Sequence, residues 1–223
     1  MSVYSALVFD LDGTLIDSAP DIANALNVGF AMNGWPELAP AYVEQFIGNG
    51  PRRLIVDILD DLDIAYDEVA VQQAFDGYLC AYLEDPAGRT RFFPHVREDL
   101  ETLRSAGIRL GICTNKNHAV TGKVLEQLGL SSLFEVALGA DSVPACKPDP
   151  QHLLAVAEAM ELTAGDWAYV GDTGVDQMTA DAAGVQFFVV PWGGGPNVEV
   201  AQKQRLSRLA DLLAHGPSPH ASR

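Results

Sequence analysis

The stretch "ALVFDLDGTLIDS", Ala6 to Ser18, decides how the rest of the chain is read. It opens on four apolar residues, and the run Val3–Phe9 is expected to form a short buried strand. The run then ends on Asp10, Asp12 and Gly13, with a further acid at Asp17. Aspartate and glycine are poor strand formers, and neighbouring carboxylates repel one another. A strand that ends this way is expected to deliver both acids to a site.

Working outward, the pattern beyond Asp17 becomes helical. Apolar residues at three- and four-residue spacing predict helices over Asp21–Met32, Tyr42–Ile47, Arg52–Leu62 and Glu68–Leu83, separated by Gly/Pro-rich turns. From Phe93 onward strands and helices alternate. Strands are expected at Ile108–Cys113, Val136–Leu138, Trp167–Val170 and Gln186–Val190. Helices are expected at Val96–Ala106, Ala119–Leu128, Pro150–Glu161 and Val175–Ala183, with a last one near Gln204–Leu213. Such alternation implies an α/β fold: a Rossmann-like parallel sheet core with helices on both faces. The helical block interrupts it after the first strand and reads as an inserted α-helical cap domain. The expected division is a core over 1–18 and 91–215, a cap over 19–90, and a flexible tail over 216–223. Ser18 and Arg91, the two crossings, are the expected hinges.

Composition limits the partners. Fourteen basic and thirty acidic residues leave a formal net charge of −16. Such a surface repels nucleic acid and anionic lipid, so neither is expected as a partner. An anion site must then contain a metal, a basic side chain or oriented N–H groups. The N-terminus lacks the pattern of a signal peptide, and no apolar run approaches the length of a membrane span. Cys80, Cys113 and Cys146 are odd in number and lack metal-type spacing, so reduced thiols and a cytoplasmic location are expected. The chain is expected to be a monomer or homodimer.

Ligands of parallel α/β sheets bind beyond the carboxyl ends of the strands. Those ends deliver Asp10 and Asp12, then Thr114, Asn115 and Lys116, then Lys147, then Asp172 and Asp176. Clustered carboxylates call for a cation, and an all-oxygen ligand set suits Mg²⁺ together with a substrate phosphate. A lysine and a hydroxyl suit the remaining phosphate oxygens. One free carboxylate can then attack phosphorus while another moves protons. Lys116 is read as peripheral. Asp17 and Ser18 either cap the first cap helix or, for Ser18, approach the phosphate.

"DLDGTLIDS", "CTNKN", "KPDP" and "VGDTGVD" resemble, in order and separation, the four motifs of the haloacid dehalogenase-like phosphohydrolase superfamily. The resemblance implies that Asp10 is the nucleophile and Asp12 the general acid/base. It implies Mg²⁺ held by Asp10 and Asp172 with the backbone carbonyl of Asp12, while Asp176 orients metal-bound water. Thr114 and Lys147 would grip the phosphoryl group, and Gly13 would turn the backbone over it. The helical insert, "TNK" and "IGNGPRRLI" are similar to the phosphoglycolate phosphatase-like group. The function implied is Mg²⁺-dependent hydrolysis of a small phosphorylated metabolite through an aspartyl-phosphate, with 2-phosphoglycolate favoured. A β-phosphoglucomutase-like or other sugar-phosphate or pyrophosphate enzyme is the alternative within the superfamily. A non-catalytic phosphometabolite-binding regulator is the alternative outside it. For substrate selection, Arg52 leans toward the apolar side of its helix, and with Asn49 and Asn115 it is expected to contact the substrate. Arg52 and Asn49 are expected to read a second anionic group, whereas Arg53 is expected to ion-pair with acids on its own helix.

Overall fold

The computed structural model describes residues 4–216. Val3 of the expected first strand, and all of the expected tail except Gly216, lie outside the described residues. In chain order the elements are β1 (Ala6–Phe9), β2 (Ile16–Asp17), α1 (Ala19–Ala31), α2 (Pro40–Val43), α3 (Pro51–Asp61), α4 (Glu68–Glu84) and β3 (Arg91–Phe92). Then come α5 (Val96–Ser105), β4 (Arg109–Cys113), α6 (His118–Gln127), β5 (Val136–Leu138), α7 (Pro150–Ala159), β6 (Trp167–Gly171), α8 (Gly174–Ala183) and β7 (Gln186–Val189).

Five strands form one parallel sheet in the order β5-β4-β1-β6-β7. β1 is central, and all four of its residues are buried, as a strand covered on both faces requires. Its side chains alternate between two cores. Leu7 and Phe9 pack with Val96, Leu100, Val120 and Val124 of α5 and α6. Ala6 and Val8 pack with Leu153, Val156 and Ala180 of α7 and α8. Burying each large apolar side chain contributes about 1.5–3 kcal/mol, so the register is firmly set by both faces. Successive strands run outward from β1 through β4 to β5, then restart at β6 on the other side. The order therefore reverses between β1 and β6, the position where such sheets bind ligands.

Local chemistry fixes the helix ends. The side chains of Asp67, Asn117, Asp149 and Thr173 each accept a backbone N–H in the first turn of α4, α6, α7 and α8. The block α1–α4 is held chiefly by α1 lying against α4. The helices approach so closely that a Cβ on Gly29 would sit 2.2 Å from the Ala74 carbonyl oxygen. Buried Asp21 braces the base of this block, accepting bonds from the backbone N–H of Arg89 and Thr90 and from the Thr90 hydroxyl.

Three features differ from expectation. β2 and β3 pair antiparallel at the two crossings, Ile16 with Phe92 and Asp17 with Arg91, where no strand is expected. Two residues are too short to carry a period. The helix expected over Tyr42–Ile47 is the short α2 followed by a 3₁₀ turn at Glu44–Phe46. The helix expected near Gln204–Leu213 is instead two 3₁₀ segments, Gln202–Gln204 and Leu209–Ala214. Between them the Leu206 N–H bonds the Val189 carbonyl at 2.9 Å, so the edge of β7 holds this segment extended.

Candidate active site

The carboxyl ends of β1, β4 and β6 and the loop before α7 converge on one buried cluster. Asp10 leaves β1 with its N–H bonded to the Val170 carbonyl of β6 at 2.9 Å, which fixes it at the switch point. Behind it the chain turns tightly, and Gly13 takes a φ of +82°. A Cβ there would lie 2.3 Å from Oδ2 of Asp172, so glycine is what lets this acid approach the first loop. Thr14 donates to Asp172 Oδ1 at 2.8 Å, and the N–H of Gly194 donates to Oδ2 at 2.9 Å.

Asp10, Asp172 and Asp176 are all buried, and each offers an oxygen within 4.8 Å of the others. Lys147 Nζ lies 2.9 Å from Asp10 Oδ1 and 2.7 Å from Asp176 Oδ1, and donates to the Tyr169 hydroxyl at 2.9 Å. Asp176 is the best satisfied of the three. Its Oδ2 accepts from the Thr173 hydroxyl at 2.7 Å and from the N–H groups of Asp172 and Thr173.

The electrostatics separate the three acids. Burial pushes Asp10 up to about 7, against the pull of Lys147 and with repulsion from Asp176 and Asp12. Burial, then Asp176 and Asp10, hold Asp172 well above the ordinary carboxylate range. For Asp176 burial is outweighed by Lys147, Thr173 and Tyr169, so it stays below that range. Lys147 also loses water, but Asp10 and Asp176 overcome that and hold its ammonium firmly charged. Asp10 Oδ1 is buried and accepts no well-directed hydrogen bond from the protein. Three buried carboxylates around one ammonium leave oxygen donors in excess of the local cations, which fits a divalent cation.

A small cavity of about 30 Å³ opens beside this cluster. Asp10, Asp12, Thr114, Asn115 and Lys116 face it from the sheet, and residues of α1, α3 and α4 face it from the opposite side. Asn115 ties the two sides together, its Nδ2 donating to the carbonyls of Gly48 and Lys147, both at 2.9 Å.

The expected site residues divide clearly. Asp10, Asp12, Gly13, Thr114, Asn115, Lys147, Asp172 and Asp176 come together here. Arg52 and Asn49 do not line this cavity; they border a separate groove of about 460 Å³ between α3 and the loop containing Cys146. The Arg52 guanidinium is turned onto α4, where it pairs with Glu68 and donates to Gln72 Oε1 at 2.9 Å. The lean expected of Arg52 fails because α4 packs beside α3 and offers it the Glu68 carboxylate and the Gln72 amide oxygen. Arg53 does pair with Asp57, as expected, at 2.7 Å.

Lys116 is not peripheral. Its Nζ donates to both oxygens of Asp12, at 2.9 and 3.0 Å, and to the Tyr82 hydroxyl at 2.6 Å. Ser18 does not cap α1; its hydroxyl donates to Asp12 Oδ1 at 2.5 Å. Tyr82, Thr14, Tyr169 and Gly194 are site residues that the sequence hides. Tyr82 and Tyr169 carry no pattern that separates a site residue from a core aromatic, and nothing in the sequence marks the Gly194 N–H as a donor.

Residues 7–190 match the model of the haloacid dehalogenase-like hydrolase family. A phosphoglycolate phosphatase of Cereibacter sphaeroides is 40% identical over 214 residues, covering 96% of this chain and 93% of that protein. One from Neisseria gonorrhoeae is 36% identical over 198 residues, covering 88% and 84%. The crystal structure of a predicted phosphoglycolate phosphatase from Haemophilus somnus 129pt superposes with a TM-score of 0.81 at 28% identity, covering 95% of this chain and 97% of that one.

Proposed function

The chain belongs to the haloacid dehalogenase-like hydrolase family, and from that premise we propose that it is a phosphomonoesterase acting on 2-phosphoglycolate through an aspartyl-phosphate. The observation that carries the reading is the cluster of Asp10, Asp172 and Asp176 with Lys147 Nζ set against two of the three. A dianionic phosphoryl group enters such a pocket only if cations balance it.

We assign Mg²⁺ to Asp10 and Asp172, with the backbone carbonyl of Asp12. Three buried carboxylates set around one ammonium support this assignment. When bound, the ion supplies positive charge against the phosphoryl oxygens as the transition state forms. Asp10 attacks phosphorus and forms the acyl phosphate, while Asp12 gives a proton to the departing alkoxide. Asp12 then takes a proton from the water that attacks the phosphoenzyme, releasing inorganic phosphate and regenerating Asp10. Lys147 and the Thr114 hydroxyl hold the phosphoryl oxygens. Asp176, already engaged by five donors, fixes Lys147 in place. The block α1–α4 is read as a cap, hinged at the β2–β3 pair, that keeps bulk water from the acyl phosphate.

The test is release of inorganic phosphate from a panel of monoesters with and without Mg²⁺. The expected result is Mg²⁺-dependent turnover, highest kcat/KM on 2-phosphoglycolate, and loss of turnover in Asp10→Asn. Turnover that persists in Asp10→Asn, or an isomeric ester in place of free phosphate, would overturn the reading.

A further inference from the structure

We infer that Lys116 is the specificity-determining residue of this site: its ammonium receives the carboxylate of the substrate and selects esters whose carboxylate lies next to the ester carbon. This rests on the phosphatase reading above and names what that reading leaves open, the group that recognises the organic end of the substrate.

Lys116 is the only basic side chain among the described residues that line the cavity. Much of the facing wall, Ile22, Ile47, Leu54 and Tyr78, is apolar or aromatic. A carboxylate brought into it without a cation would be desolvated and unpaired, which is strongly unfavourable. Arg52, the other candidate, is held outside by Glu68 and Gln72. Lys116 is also held ready. Its Nζ lies 4.3 Å from the centre of the Tyr82 ring and bonds the Tyr82 hydroxyl, so α4 fixes it from across the cavity. Its side chain is 2% exposed, so water competes little for the ammonium.

The position also sets a length. Asp12, the residue assigned to the leaving oxygen, accepts from Lys116 at 2.9 and 3.0 Å, besides its bond from the Ser18 hydroxyl. A carboxylate that meets this ammonium must therefore sit within a bond or two of the ester oxygen's carbon. A 2-phosphooxy carboxylate satisfies that, whereas an ester with a distant carboxylate overshoots.

The experiment measures kcat/KM on 2-phosphoglycolate, 3-phosphooxypropionate and ethyl phosphate for the wild type, Lys116→Met and Lys116→Arg. The quantity read is the ratio between esters within each protein, which does not depend on the folded fraction. The wild type is expected to favour 2-phosphoglycolate over both others. In Lys116→Met the preference over ethyl phosphate falls by at least about thirtyfold, the factor that corresponds to loss of one buried charge pair. In Lys116→Arg part of it returns. A strong wild-type preference that survives intact in Lys116→Met would overturn the role of Lys116 and leave the phosphatase reading standing. Phosphate release by the wild type without preference for the carboxylate ester would overturn both the role and the choice of 2-phosphoglycolate.

Discussion

Lys147 Nζ lies 2.9 Å from Asp10 Oδ1, and the two side chains are 1% and 6% exposed. The same ammonium reaches Asp176 at 2.7 Å, so one cation balances two buried acids. Removing it leaves both without that partner. Lys147→Met is expected to lose about 3–5 kcal/mol of stability in urea unfolding and at least about a hundredfold in kcat. Wild-type stability in this variant would mean that the pair does not hold the cluster.

Gly13 is placed where any side chain collides with Asp172, and its φ of +82° is strained for other residues. Gly13→Ala is expected to displace the Asp172 carboxylate and weaken divalent cation binding by at least about tenfold. Titration with Mn²⁺ followed by electron paramagnetic resonance reads this without turnover. Unchanged affinity would remove Asp172 from the set of ligands.

His152 is fully buried on α7, and burial, helped by the charge on Lys147, lowers its pKa from 6.5 to about 4. The unfolded chain therefore takes up this proton first as pH falls. The stabilisation is present above pH 6.5 and is lost progressively down to about pH 4, by up to about 3 kcal/mol. Urea unfolding of the wild type and His152→Leu across pH 4.5 to 7 is expected to give curves that diverge in this direction. Parallel curves would contradict it.

Arg52 pairs with Glu68 on the outside of the helical block, with side chains 42% and 81% exposed. Exposed pairs contribute at most about 1 kcal/mol. Arg52→Ala is expected to change KM for 2-phosphoglycolate by less than about twofold and stability only slightly. A large rise in KM would restore it as a substrate ligand.

These contrasts separate what local sequence encodes from what it does not. β1 was legible because four apolar residues end on two aspartates, and helix starts were legible because Asp67, Asn117, Asp149 and Thr173 are good N-caps. The acids and Lys147 were legible because a parallel sheet gathers its strand ends at one edge. The surroundings of Lys116 and Arg52 escape the sequence for a shared reason: each has partners far away in sequence, on α4 for both and also at Asp12 for Lys116. Tyr82 meets Lys116 across 34 residues and Glu68 meets Arg52 across 16. No periodicity within one helix reveals which neighbour it will pack against. The β2–β3 pair was hidden likewise, because its partners are separated by the whole helical block.

The most direct test of the central claim is to catch the phosphoenzyme. The protein is quenched in acid during turnover of 2-phosphoglycolate with Mg²⁺, and the acyl phosphate is reduced with borohydride before peptide mapping. The account predicts homoserine at position 10 in the wild type, and unmodified residues at positions 12, 172 and 176. Phosphate release at a normal rate with no modification at position 10, or with the mark on a different residue, would contradict it.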